Sequence, residues 1–198
     1  MSGLDAVVFD FGIVLSSPPG LFDAHARALG VPASLIQEQY EEGRGLWDGG
    51  GPAEEYWGPF LERLGLTPTD ELIARSVATD LAQWLPLRDE ARQILRDCRA
   101  SGHRVVVLSN APVEMAAAME SADWRADVDD LFVSGPLRLM KPAPDFYRLV
   151  AERVGPRLAF IDDREPNVVA AWELGWQAHL WVDDADTRAW LTELGVLS

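Results

Sequence analysis

The chain has one cysteine in 198 residues, Cys98, so no internal disulfide can form and a stapled secreted scaffold is excluded. The expected setting is a reducing cytoplasm, and Cys98 reads as a buried thiol on an apolar helix face. Basic residues are scarce: 17 Lys and Arg stand against 32 Asp and Glu, a net charge of −15. A surface that negative repels phosphate backbones and anionic lipid, so neither nucleic acid nor a membrane is expected as partner. Histidines number three, none beside the charged motifs described below, so no histidine catalyst is implied. No apolar run approaches the ~20 residues of a membrane span. The first such run contains Asp5 and Asp10 and has no basic start, so it does not read as a signal peptide.

What the chain has is a composition able to bury a core, with 48% hydrophobic and 25% charged residues. The runs "AVVFDF", "HRVVVLS", "DLFVSG", "RLAFIDD" and "AHLWVDD" are apolar without alternation, as in strands covered on both faces of a parallel sheet. Helix-like segments lie between most of them, at residues 88–101, 144–154 and 165–174. Proline begins the second and lies in the first turn of the third, and glycine follows the end of each. This alternation predicts an α/β fold with a doubly wound, Rossmann-like parallel sheet. From about Ser16 to Leu85 there is no convincing strand. Four helix-like pieces, near 20–29, 33–42, 53–64 and 69–83, predict a small helical bundle inserted after the first strand, with Gly58–Pro59 interrupting the third piece. The expected division is a core of residues 1–15 and 86–198 and an insert of residues 16–85. Of the eight tryptophans, Trp172, Trp176, Trp181 and Trp190 lie in core-like contexts.

Ligands of open parallel sheets gather outside the carboxyl ends of the strands. Asp10 ends the first strand, Ser109 and Asn110 end the second, Lys141 precedes the helix at Pro144, and Asp162 and Asp163 end "LAFI" with Asn167 four residues on. Each has a bland reading as a turn, a cap or a solvated side chain. Together they form a chemical set. A carboxylate can attack phosphorus and split a hard hydrolysis into two displacements. The approach of two anions calls for compensating charge, which Mg²⁺ on carboxylates, Lys141, and Ser109 with backbone N–H groups at a helix start would supply.

The ordered set "FDFGIVL", "VVVLSN", "MKPAPDFY" and "FIDDREPNVVAAWELG" resembles the four signature motifs of the haloacid dehalogenase (HAD) superfamily. The resemblance covers residues 1–15 and about 86–183 and is nearest to the phosphatase branch that includes bacterial glucose-1-phosphate phosphatases and the phosphatase domain of soluble epoxide hydrolases. It implies a hydrolase acting on a small phosphorylated metabolite with Mg²⁺ as cofactor, as a monomer or homodimer. By the same resemblance Asp10 matches the nucleophile and a metal ligand, and the Gly12 backbone carbonyl and Asp163 match further metal ligands. Ser109 and Asn110 match the phosphate-binding positions, and Lys141 matches the lysine that holds nucleophile and phosphate. Asp162 and Asn167 match supporting positions, and the helical insert matches a substrate-selecting cap. Within the insert, Arg44 and Trp47 are candidates to meet a sugar or a second anionic group; alternatively Trp47 and Trp57 pack between cap helices.

One departure stands out. Most family phosphatases carry an aspartate two residues after the nucleophile as general acid–base, a contribution of ~10²–10⁴-fold. Gly12 has no side chain for that role. Three outcomes follow: a slow phosphatase, a substrate whose leaving group needs little protonation, or a proton donor supplied by the cap. The second is favoured here, with a sugar 1-phosphate as the expected substrate. The alternatives to a phosphatase are a metal-independent 2-haloacid dehalogenase, which needs no proton for a departing halide, and a catalytically weak HAD-like binding protein.

Overall fold

The computed structural model describes residues 3–198. Five strands form one parallel sheet: β1 (Ala6–Phe9), β2 (Val105–Ser109), β3 (Asp130–Val133), β4 (Leu158–Asp162) and β5 (Gln177–Leu180). Their order is β3-β2-β1-β4-β5, with Val8 paired to Val106 on one side and to Phe160 on the other. All residues of β1, β2 and β4 are buried, which is why those runs show no polar alternation. Successive side chains point to opposite faces. Val7, Phe9, Val105 and Val107 meet Ile94, Leu95 and Cys98 of α6 (Asp89–Ala100) on one face. On the other face, Val8, Val106 and Phe160 meet Phe146 and Val150 of α9 (Pro144–Val154) and Val168 of α10 (Glu165–Glu173). Helices α7 (Val113–Glu120) and α11 (Asp184–Glu193), with the one-turn α8 (Ser134–Leu137), complete the α/β layers.

Strand β5 departs from the doubly covered expectation. It is an edge strand, with Gln177 and Leu180 exposed. Trp172 also leaves the core-like role expected of it: it is 54% exposed on α10 while its indole N–H donates to Ala178 O at 2.8 Å. Trp176, by contrast, is buried against Tyr147 and Phe160.

Between β1 and α6 lie five helices, α1 (Leu21–Leu29), α2 (Ala33–Gln39), α3 (Arg44–Asp48), α4 (Ala53–Arg63) and α5 (Asp70–Trp84). They enclose their own apolar cluster of Ile36, Tyr40, Trp47, Trp57 and Phe60. Burying each such side chain stabilises by about 1.5–3 kcal/mol. That packing explains why α4 runs unbroken through Gly58–Pro59: Tyr56, Trp57, Phe60 and Leu61 are all buried, and the exposed Pro59 forfeits only one intrahelical bond. Helix α3 is an addition to the four expected pieces. It ends in a glycine run that close packing requires: a Cβ on Gly50, whose φ is +90°, would lie 2.2 Å from Gly135 O of α8. No helix among the described residues is long and apolar enough to cross a membrane.

Candidate active site

The sheet reverses its strand order at β1, and the carboxyl ends of β1, β2 and β4 converge there. Asp10 follows β1, its N–H bound to Ile161 O at 2.8 Å, while the Phe11 N–H donates to its Oδ1 at 2.7 Å. Lys141 Nζ donates to Asp10 Oδ1 and to Asp162 Oδ2, both at 2.6 Å, with the lysine itself buried. Asn110 fixes the lysine backbone: Asn110 Nδ2 donates to Lys141 O at 2.9 Å, and Lys141 N–H donates to Asn110 Oδ1 at 2.8 Å. The Asn110 side chain, expected at the phosphate, is thereby engaged in positioning Lys141.

Asp162 and Asp163 are adjacent but differently employed. Asp162 is fully buried. It accepts from Lys141, from Asn167 Nδ2 at 2.9 and 3.0 Å, and from Arg164 N–H at 2.8 Å. Asn167 is held in turn by Tyr147, whose hydroxyl donates to its carbonyl at 3.0 Å. Asp163 is half-buried and lines a cavity of about 530 Å³ beside Asp10, Gly12, Ser109 and Lys141. Asp10, Asp162 and Asp163 each offer a carboxylate oxygen within 4.8 Å of the others. Burial, then repulsion from Asp162 and Asp163 against the pull of Lys141, pushes Asp10 up to about 7. Burial and Asp162 likewise raise Asp163.

Three carboxylates against one ammonium leave excess negative charge, and an all-oxygen donor set suits a hard divalent cation. Because Asp162 is committed to Lys141 and Asn167, Asp10 and Asp163 are the carboxylates left for an ion. The Gly12 carbonyl accepts from Val14 N–H at 2.6 Å and keeps a second lone pair.

The inserted helices also line the cavity, through Tyr40, Glu41, Arg44, Asp48 and Trp84. Of the two cap candidates only Arg44 reaches it. Trp47 is fully buried, stacked on Tyr56 at 5.6 Å and edge-on to Trp57, with its N–H donating to Glu114 of α7 at 3.1 Å. Its bulk belongs to the packing of the insert. Arg44 is not free either: Nη2 meets Asp80 Oδ2 at 2.9 Å, and Nη1 donates to the Tyr40 hydroxyl at 2.5 Å. Tyr40 donates to Asp80 and accepts from Trp84 Nε1 at 2.9 Å. Burial would raise Asp80, but Arg44, the His25 ring 3.5 Å away and Tyr40 outweigh it and hold the carboxyl at about 2. Asp80 and Trp84 escaped sequence reasoning, and no sequence signal marks them, because their role comes from burial on α5 and from the partners the fold brings to them.

A doubly wound sheet carrying aspartate, serine, lysine and paired aspartates at its switch point, roofed by a helical insert, defines an α/β protein with a charged site where such sheets bind ligands. The haloacid dehalogenase-like hydrolase family model matches residues 4–175, and the chain belongs to that family. Among solved structures it is similar to a HAD family enzyme, bt-2542 from Bacteroides thetaiotaomicron, in complex with magnesium and inorganic phosphate. That match has 18% identity and a TM-score of 0.69, over 90% of this chain and 94% of the other. The L-2-haloacid dehalogenase of Xanthobacter autotrophicus, with chloropropionic acid covalently bound, is 22% identical with a TM-score of 0.73, over 98% and 85% of the two chains. A HAD-like family hydrolase from Porphyromonas gingivalis is 19% identical with a TM-score of 0.71, over 96% of each chain. These likenesses establish the shared fold.

Proposed function

We propose that the protein is a Mg²⁺-dependent phosphomonoester hydrolase working through an aspartyl-phosphate on Asp10. The observation that carries this reading is the meeting of Asp10, Asp163 and Lys141 at one cavity wall. Lys141 holds Oδ1 of Asp10, so Oδ2 is the oxygen available to attack phosphorus. Ser109 and the backbone N–H groups that follow it would receive the phosphoryl oxygens, and Asn110 keeps Lys141 in register. Mg²⁺, held by Asp10, Asp163 and the Gly12 carbonyl, would neutralise charge on the transferring group. A dehalogenase forms an ester with carbon and has no use for that carboxylate pair.

The substrate is a small metabolite that fits a cavity of about 530 Å³. Sugar 1-phosphates suit a site without an acid at Gly12, because an anomeric oxygen asks less of whichever group supplies the proton instead. The test is phosphate release from p-nitrophenyl phosphate with and without Mg²⁺, followed by a panel of sugar 1- and 6-phosphates. Metal-dependent turnover that disappears in Asp10→Asn is the expected result. Halide release from a 2-haloacid without metal would overturn the reading, and equal rates on 1- and 6-phosphates would remove the substrate class.

A further inference from the structure

The catalytic cluster has no side chain where an acid ordinarily protonates the leaving oxygen. In-line displacement puts that oxygen on the side of phosphorus away from Asp10, toward the wall formed by the inserted helices. Four residues with an ionisable group line that wall: Tyr40, Glu41, Arg44 and Asp48. The Tyr40 proton is committed to Asp80, the Arg44 guanidinium is paired, and Glu41 is exposed.

Asp48 differs from these. Its Oδ1 is buried without a hydrogen-bond partner, and its Oδ2 faces only Arg44 Nε, at 3.5 Å. A buried carboxylate oxygen lacking a partner is rare and calls for one. The residue is also anchored to the phosphate side of the site. Its carbonyl accepts from Ser134 Oγ at 2.5 Å, and Ser134 Oγ in turn accepts from the N–H of Ala111, two residues after Ser109, at 2.9 Å. A Cβ on the next residue, Gly49, would lie 3.0 Å from Met140 Sδ, beside Lys141. Asp48 is thus carried by the insert and tied to the loops that hold the phosphoryl group.

Building on the phosphatase reading above, we propose that Asp48 is the general acid–base of this enzyme, a catalytic residue supplied by the insert in place of the missing side chain at position 12. In the first step Asp10 Oδ2 forms a bond to phosphorus while the bond from phosphorus to the ester oxygen breaks. The departing oxygen takes the electron pair and the Asp48 proton, leaving as an alcohol. In the second step water attacks phosphorus and gives its proton to the Asp48 carboxylate. The bond to Asp10 then breaks, returning a carboxylate and inorganic phosphate. The environment suits an acid that is protonated at neutral pH: burial, with Asp80 and Glu41 nearby and Arg44 opposing, pushes Asp48 up to about 7. The other charged groups around this turn are Arg138 beside Gly50, Glu55 beside Gly51, and Glu114 bonded to Trp47.

The experiment compares wild type and Asp48→Asn, with Mg²⁺, on an alkyl phosphate and on 2,4-dinitrophenyl phosphate, whose leaving group needs no proton. The expected result is a fall in kcat/KM of about 10²–10⁴-fold on the alkyl ester, with kcat/KM on the dinitrophenyl ester nearly unchanged. Retained rapid release of dinitrophenolate from that ester, which reports the first displacement alone, doubles as the control for folding. The decline of alkyl-ester kcat/KM above pH about 7 in wild type should vanish in the variant. Equal losses on both esters, or no loss on either, would overturn the assignment. Failure of the wild type to hydrolyse either ester would sink the phosphatase reading itself, and the assignment with it.

Discussion

One ammonium joins two strands of the sheet: Lys141 Nζ stands 2.6 Å from Asp10 Oδ1 and 2.6 Å from Asp162 Oδ2. Replacing it by methionine leaves two buried carboxylates facing each other. Asp10, already raised by burial, then loses the pull of Lys141, and a carboxylate whose folded pKa is raised loses stability as pH rises. Lys141→Met should therefore be destabilised by about 3–5 kcal/mol at alkaline pH and by much less near pH 5. Phosphate release should fall by about 10²–10³-fold as the transferring group loses its cation. Thermal unfolding across this pH range checks the first expectation. A deficit that stays constant or shrinks with pH would refute it.

The neighbours Asp162 and Asp163 should separate cleanly under mutation. Asp163 is half-buried at the cavity and its ionised form is disfavoured by burial and by Asp162, so Asp163→Asn should leave metal-free stability unchanged or raised. It should abolish the stabilisation that Mg²⁺ gives wild type, about 2.7 kcal/mol when the ion stands at a hundred times its Kd. Asp162→Asn removes the partner of Lys141 and should cost about 3–5 kcal/mol with or without metal. Unfolding midpoints recorded with and without Mg²⁺ discriminate the two, and interchangeable behaviour would dissolve the distinction.

Much of this was legible in the sequence. Buried parallel strands announce themselves by unbroken apolar runs, and strand ends place Asp10, Ser109 and Asp163 at one edge, where the loop before α9 brings Lys141. What lay beyond reach depends on long-range packing. Gly58–Pro59 reads as an interruption because local propensity cannot register the burial of Trp57 and Phe60 around it. Trp47 reads from sequence either as a ligand contact or as packing between helices, and only Tyr56 stacked upon it decides for packing. Asp48 and Asp80 are ordinary acidic residues by composition. Their importance comes from which neighbours they lack or share.

Asp80 sets the acid limit of the insert. It is fully buried and held at about 2 by Arg44, His25 and Tyr40 against the cost of burial. A carboxylate with a depressed folded pKa contributes stability that is complete above its unfolded value and lost as pH falls through the folded one. Wild type should accordingly lose roughly 2–3 kcal/mol progressively between pH about 5 and about 1 from this group. Asp80→Asn should lack that acid limb and be less stable by about 3–5 kcal/mol at neutral pH, since Arg44 loses its bidentate partner. Acid titration of near-ultraviolet circular dichroism for both proteins provides the measurement. An unchanged acid midpoint in the variant would show that the insert is held by its apolar cluster alone.

Position 12 offers the sharpest test of how the missing acid was replaced. Gly12 is not among the residues with a left-handed backbone, and a Cβ there would meet only the Trp84 ring, at an ordinary 3.7 Å. The backbone therefore admits a side chain at position 12. If Asp48 supplies the proton, Gly12→Asp should be nearly redundant in wild type but restore turnover to Asp48→Asn. The expected gain in alkyl-phosphate kcat/KM is tenfold or more in the Asp48→Asn background, of the order a general acid provides. It should be no more than a few-fold in wild type, because two groups that perform one task are not additive. Equal gains in both backgrounds would mean that the two carboxylates act independently, and that Asp48 does not stand in for the side chain absent at Gly12.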